Sequence, residues 1–232
     1  MSSSKPTKKS SHPLGWVPTV YFAMGLPFVV LNMVAAIMFK NLEIPNASIA
    51  FWTSLIMWPW TIKFLWSPFL EIFKTKKFFV VSTQIISGAL FGLAALVLNI
   101  PDCFAVLIAI FAAVAFSGAT HDIAADGVYM SELSSKHQSQ YIGWQGAFYN
   151  LAKLVATGGL VGLAGILARH FSGSDTPTRS HYLDAWMIVL GAIGLLLLLL
   201  GTYHSWAVPS KAASATSNAA SMRQGIGKLR EV

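Results

Sequence analysis

The sequence predicts an all-α membrane protein of six transmembrane helices. Three observations predict it. Hydrophobic residues make up 55% of the chain and charged residues only 11%, against about 25% charged in a typical soluble domain. Six apolar stretches each reach the roughly 20 residues that a helix needs to cross about 30 Å of hydrocarbon. Lysine and arginine also concentrate in alternate connections, the pattern that orients a multi-pass protein.

The six stretches run approximately over 15–39, 47–70, 78–100, 103–130, 141–168 and 183–204. The first is too long for the apolar core of a cleaved signal peptide and is followed by further spans, so it reads as retained. Residues 1–14 form a polar N-terminal arm, 15–204 the membrane bundle, and 205–232 a Ser-, Ala- and Asn-rich tail that reads as a flexible linker. A linker of that kind leads one to expect a further segment, lost or separately encoded.

The arm, the connection between the second and third stretches, the connection between the fourth and fifth, and the tail together hold eleven Lys and Arg; the opposite connections hold Lys40, Arg169 and Arg179. Both termini are therefore expected in the cytoplasm, in a multi-pass protein of the inner (cytoplasmic) membrane. The net charge of +7 is then mostly this orientation signal and not a nucleic-acid footprint. The single Cys103 excludes an intrachain disulfide. No metal-ligand spacing or phosphate-binding glycine loop occurs, and no cofactor is expected.

Ionisable side chains within spans are costly, about 2.5–3.5 kcal/mol each at the helix centre, and so mark candidate sites. At 1.5 Å per residue, Lys153 lies about 18 Å into the fifth stretch, near the midplane. Lys63 is about 24 Å into the second, and Asp122 about 28 Å along the fourth with Asp126 beyond it. Their spacing of four places Asp122 and Asp126 on one helix face, with His121 a quarter turn away. Carboxylates sharing such a face repel unless a proton or a cation relieves them, and Lys63, at comparable depth, is the expected partner. Three readings stay open for this group: a structural ion pair closing the cytoplasmic end, proton coupling or substrate contact, and exposure to interfacial water.

Gln145, Tyr149 and Lys153 recur every fourth residue, with Asn150 beside them, and predict a polar stripe facing a protein interior or a water-filled cavity. Lys153 either holds an anionic substrate group or neutralises an aspartate on a neighbouring span. Gly158, Gly162 and Gly165, and likewise Gly88 and Gly92, predict close helix–helix approach. Pro27 and Pro59 fall near the middle of their spans and predict bends or interruptions.

Two segments carry a family resemblance. PWTIKFLWSPFLEIFKTKKFF resembles the K-F-L-W-S-P signature of the AmpG-like muropeptide permeases and the related acetyl-CoA transporters of the major facilitator superfamily. Its second half is similar to that superfamily's loop motif G-x-x-x-D-R-x-G-R-K, with Ser67 at the first glycine, Glu71 at the aspartate, Lys76 at a basic position and Lys74 replacing the second glycine. GATHDIAADGVYMSEL is similar to the permeases' A-T-Q-D-I-x-x-D segment, with His121 in place of glutamine. The resemblance covers about Trp16 to Gly165.

It implies a proton-driven importer built as two six-helix halves, of which this chain resembles the N-terminal one. On that basis the expected function is a symporter, or half of one, moving a muropeptide-like sugar-peptide or another anionic metabolite with protons. Its partners would be the solute, protons, the lipid bilayer, and a second six-helix half or a second copy. The resemblance also implies that the first, second, fourth and fifth spans line the cavity and that Lys63, Asp122 and Asp126 work in it, with Ser67, Glu71 and Lys76 as gating residues. The alternatives are an intramembrane enzyme using His121, Asp122 and Asp126, and a non-transporting half-length remnant.

Overall fold

The computed structural model describes residues 12–210, without the side chains of 71–73. The described residues are overwhelmingly helical and contain no strand. Five helical segments are long and apolar enough to cross a membrane: Pro13–Asn41, Lys76–Val97, Phe104–Glu132, Ser135–Ser172 and Arg179–Ala207. The chain is therefore a multi-pass membrane protein by length and composition.

The first segment begins with a 3-10 turn, Pro13–Gly15, and continues as α1 (Val17–Val29), a π-helical turn (Val30–Val34) and α2 (Ala35–Asn41). Pro27 does not end the helix, as its position suggested; it is carried inside α1, and the wide turn follows three residues later. Proline removes one N–H and crowds the preceding turn, and a wider turn is one way for a helix to accommodate that.

The predicted span at 47–70 is helical only in pieces. It comprises α3 (Asn46–Ile56), α4 (Trp58–Ile62), a 3-10 turn (Lys63–Leu65) and α5 (Ser67–Phe73). Pro59 and Pro68 each sit in the first turn of a piece, where a missing N–H costs nothing. Each starts a new helix instead of kinking an old one. Between them the tight turn at Lys63 interrupts the α-helical path.

The remaining elements are α6 (Lys76–Val97), α7 (Phe104–Glu132), α8 (Ser135–Leu154), a second π-helical turn (Val155–Leu160), α9 (Val161–Ser172) and α10 (Arg179–Ala207). Their starts are legible as caps: Thr75 Oγ1 accepts from Phe78 N at 3.2 Å, Ser134 Oγ accepts from His137 N at 3.4 Å, and Thr178 pairs reciprocally with His181. α9 stops at Gly173, whose φ of +62° suits glycine. α10 runs to Ala207, past the expected linker boundary at 205; residues 211–232 of the tail and 1–11 of the arm lie outside the described residues.

α6 packs against both α7 and α10, and α1 against α8. The two glycine devices behave differently. A Cβ on Gly194 of α10 would lie 2.7 Å from the Gly88 carbonyl oxygen and 2.9 Å from Gly92 N, so α6 and α10 touch backbone to backbone. A Cβ on Gly158, Gly162 or Gly165 would meet no other part of the described residues within 4 Å, so no helix packs closely on these glycines there.

Buried apolar side chains form two clusters. One gathers Leu26, Phe39, Phe91, Phe111, Trp186 and Leu197; the other gathers Trp16, Val20, Val80, Ala125, Val128 and Val208. On α6, α7 and α10 the buried polar residues Gln84, Ser87, Ser117, His121 and His204 fall between them along the chain. Large apolar side chains such as Trp58, Phe64, Leu96, Leu154, Leu199 and Trp206 are exposed. Such a surface aggregates in water and is ordinary in lipid.

Candidate functional site

The interrupted second segment is tied to α7 by side chains. Lys63 Nζ lies 3.2 Å from Asp122 Oδ2, and Trp60 Nε1 donates to the same oxygen at 2.9 Å. One turn away, Trp66 Nε1 donates to Thr120 Oγ1 at 3.2 Å. Asp122 is buried and its Oδ1 has no hydrogen-bond partner among the described residues. An ionised carboxylate in that position satisfies one oxygen with a cation and an indole, while the other remains able to take a proton or a donor from a ligand.

The pair expected between Lys63 and the aspartates thus forms with Asp122 alone. Asp126, one turn on and on the same face, has its own partner: Tyr21 Oη donates to Asp126 Oδ1 at 2.8 Å, and Gln145 Nε2 donates to Tyr21 Oη at 2.8 Å. α1, α7 and α8 are joined through this chain. The fixed direction of each hydrogen bond follows from chemistry: a carboxylate only accepts, so the phenol must donate to it and is left to accept from the amide.

The rest of the predicted stripe on α8 divides. Tyr149 is half-buried against Gly25 and stands 6.3 Å, centroid to centroid, from Phe28. Asn150 is exposed and turns its amide back to the Gly146 carbonyl at 2.8 Å. Lys153 is exposed and its ammonium has no hydrogen-bond or ion-pair partner among the described residues. The stripe therefore borders the site at its Gln145 end and leaves it at its Lys153 end.

His121, expected a quarter turn from the aspartates, is buried on a different side of α7 and bonds to Gln84 of α6, not to either carboxylate. It is not part of the Lys63–Asp122 group. Gln84 and His204 are the residues that sequence reading missed: a lone Gln in the third stretch and a His at the end of the sixth carry no spacing signal, and only the packing of α6 against α7 and α10 brings them together.

Of the gating candidates, Ser67 opens α5 and lines a surface recess of about 490 Å³ with Lys63, Phe64 and Pro68. The aliphatic stem of Lys76 lies over Gly127, 2.7 Å from where a Cβ would stand. The side chain of Glu71 lies outside the described residues. Among the described residues no three His, Cys, Asp or Glu side chains converge as a metal-ligand group.

Trp60 is seated by Gly118. A Cβ there would lie 2.7 Å from Trp60 Cζ2, and Phe28 packs edge-to-face with the indole, 5.2 Å between ring centroids. Gly118→Ala is expected to push the indole off Asp122 and to cost about 1–3 kcal/mol, as overpacking does. Thermal unfolding of the reconstituted protein checks it, with Trp60→Leu added as the second leg. If the indole is the obstacle, Gly118→Ala costs little more in the Trp60→Leu background.

The chain matches no family model, no curated protein and no solved structure.

Proposed function

We propose that the chain is a secondary active transporter, or the N-terminal six-helix half of one, that moves a muropeptide-like sugar-peptide or another anionic metabolite across the inner membrane with protons. The observation that carries this reading is Asp122: a buried carboxylate in a spanning helix, paired to Lys63 on one oxygen and unpartnered on the other. Intramembrane carboxylates of this kind are the usual carriers of protons in transporters, because protonation trades an ion pair for a neutral acid and frees the partner cation. A broken helix beside a charged pair is also the usual architecture of a transport site.

Two further points support it. The two segments that resemble the AmpG-like permeases, 59–79 and 118–133, are the ones that meet through Lys63 and Asp122. We read the broken segment 46–73 as the sixth crossing, which restores the eleven-to-three division of Lys and Arg and puts both termini in the cytoplasm. The exposed Lys153 then needs cover from hydrocarbon, because an unpaired ammonium is costly at that depth. A second six-helix half or a second copy supplies it.

Uptake of labelled anhydro-muropeptide into cells producing the protein with its second half tests the proposal. Asp122→Asn and collapse of the proton gradient are each expected to bring uptake down to the level of cells lacking the protein. Uptake untouched by both would refute the coupling role of Asp122.

A further inference from the structure

Three of the buried polar residues between the two apolar clusters, Gln84, His121 and His204, form with Thr19 a continuous chain across four helices. Thr19 Oγ1 of α1 is 2.8 Å from His204 Nε2 of α10; His204 Nδ1 is 2.7 Å from Gln84 Oε1 of α6; Gln84 Nε2 is 2.8 Å from His121 Nε2 of α7. The chain has one loose end. His121 Nδ1 is buried and has no hydrogen-bond partner among the described residues, and the residue as a whole is 3% exposed.

His121 also lines a cavity of about 10 Å³, with Ala23, Pro27, Thr83, Gln84 and Ser87 among others. About 10–15 Å³ is the room one water occupies, and a buried water requires two to four polar partners. A second feature of the same lining bears on its hydrogen bonding. Pro27 has no N–H to give to the Ala23 carbonyl four residues back, and both residues face the cavity.

We propose that this cavity binds a single internal water, held between His121 Nδ1 and the Ala23 carbonyl, to which Pro27 gives no N–H, and that the water ends a hydrogen-bonded chain which fixes His121 and His204 in matching tautomers. The matching follows from Gln84. Its amide offers one acceptor and one donor end, so it can meet the two imidazoles in only two ways.

With Oε1 toward His204, that ring carries its proton on Nδ1 and accepts from Thr19 through Nε2. His121 then accepts from the amide at Nε2 and carries its proton on Nδ1, donating to the water, which donates onward to Ala23. With the amide reversed, both rings carry the proton on Nε2. His204 donates to Thr19, which donates to the Trp16 carbonyl 3.2 Å away, and the water donates to His121. Both arrangements satisfy every polar atom of the chain, and neither permits unlike tautomers.

The test is magic-angle-spinning NMR of the full chain, with nitrogen-15 in its histidines, in lipid bilayers. His121→Gln assigns the His121 resonances by their loss. Magnetisation transfer from water to the His121 ring is expected, as are nitrogen shifts that report one tautomer shared by His121 and His204. Ala23→Val, which fills the cavity, is expected to abolish the transfer while leaving the His204 signals in place. No transfer in the parent protein, transfer that survives Ala23→Val, or unlike tautomers in the two rings would each overturn the proposal. The parent measurement decides it even if the variant does not fold.

Discussion

Lys63→Ala is expected to destabilise the protein by about 1–3 kcal/mol, because it strands a buried carboxylate that keeps only the Trp60 indole. The figure is set below the 3–5 kcal/mol typical of a fully buried pair because the Lys63 side chain is 34% exposed and that of Asp122 12%. The lysine end is the more open to its surroundings and the aspartate end the more enclosed. Lys63→Met combined with Asp122→Leu should return stability close to that of the parent, since replacing both charges removes the desolvation cost with the attraction. Thermal unfolding of the three proteins in lipid discs checks the pattern. A Lys63→Ala protein as stable as the parent would mean that Asp122 is hydrated, and the argument for a dehydrated carboxylate would fall with it.

Gly194→Ala is the second large effect. Its Cβ would stand 2.7 Å from one backbone atom of α6 and 2.9 Å from another, and neither can swing aside as a side chain can. α6 and α10 must separate, loosening Phe91, Ile193 and Leu197 in the larger cluster. We expect a loss of about 2–4 kcal/mol. Gly158→Ala and Gly162→Ala are the contrast: nothing stands within 4 Å, and alanine is the better helix former by about 1 kcal/mol. Neither should destabilise the chain alone. If a second half or a second copy packs on that face, the same substitutions should instead weaken its association, read as a shift to the smaller species in mass photometry of the solubilised protein.

The long helices were readable from the chain because lipid imposes one rule on all of them, an apolar run of sufficient length with its backbone bonds satisfied internally. Long apolar helices lie over five of the six predicted stretches, with ends one to six residues from the expected ones. The second was readable as apolar, with Pro59 marking a bend or interruption, but not as broken into three helical pieces and a tight turn. Hydropathy averages over the window in which Pro59 and Pro68 restart the helix, and the turn at Lys63 is a matter of which helix position each proline occupies. The partnership of Lys63 with Asp122 was legible because cost forces buried opposite charges together. Its restriction to Asp122 was not, since Tyr21, a neutral residue on another helix, takes Asp126. His121 shows the limit most clearly. Adjacency in sequence suggested that it worked with the aspartates, yet successive residues on a helix point about 100° apart, and it belongs to a different interior.

The two π-helical turns, Val30–Val34 and Val155–Leu160, pack against each other where the first and fifth spans meet. Each holds one residue more than an ordinary turn. Relative to an α-turn, the extra residue rotates everything beyond it by about 100°, so that in the fifth span it sets whether Gly162 and Gly165 or Leu163 and Ile166 of α9 take a given face. Those two spans therefore carry their wide turns at the same level, and in each the faces before and after the turn are offset by about one residue's rotation from where a continuous α-helix would put them.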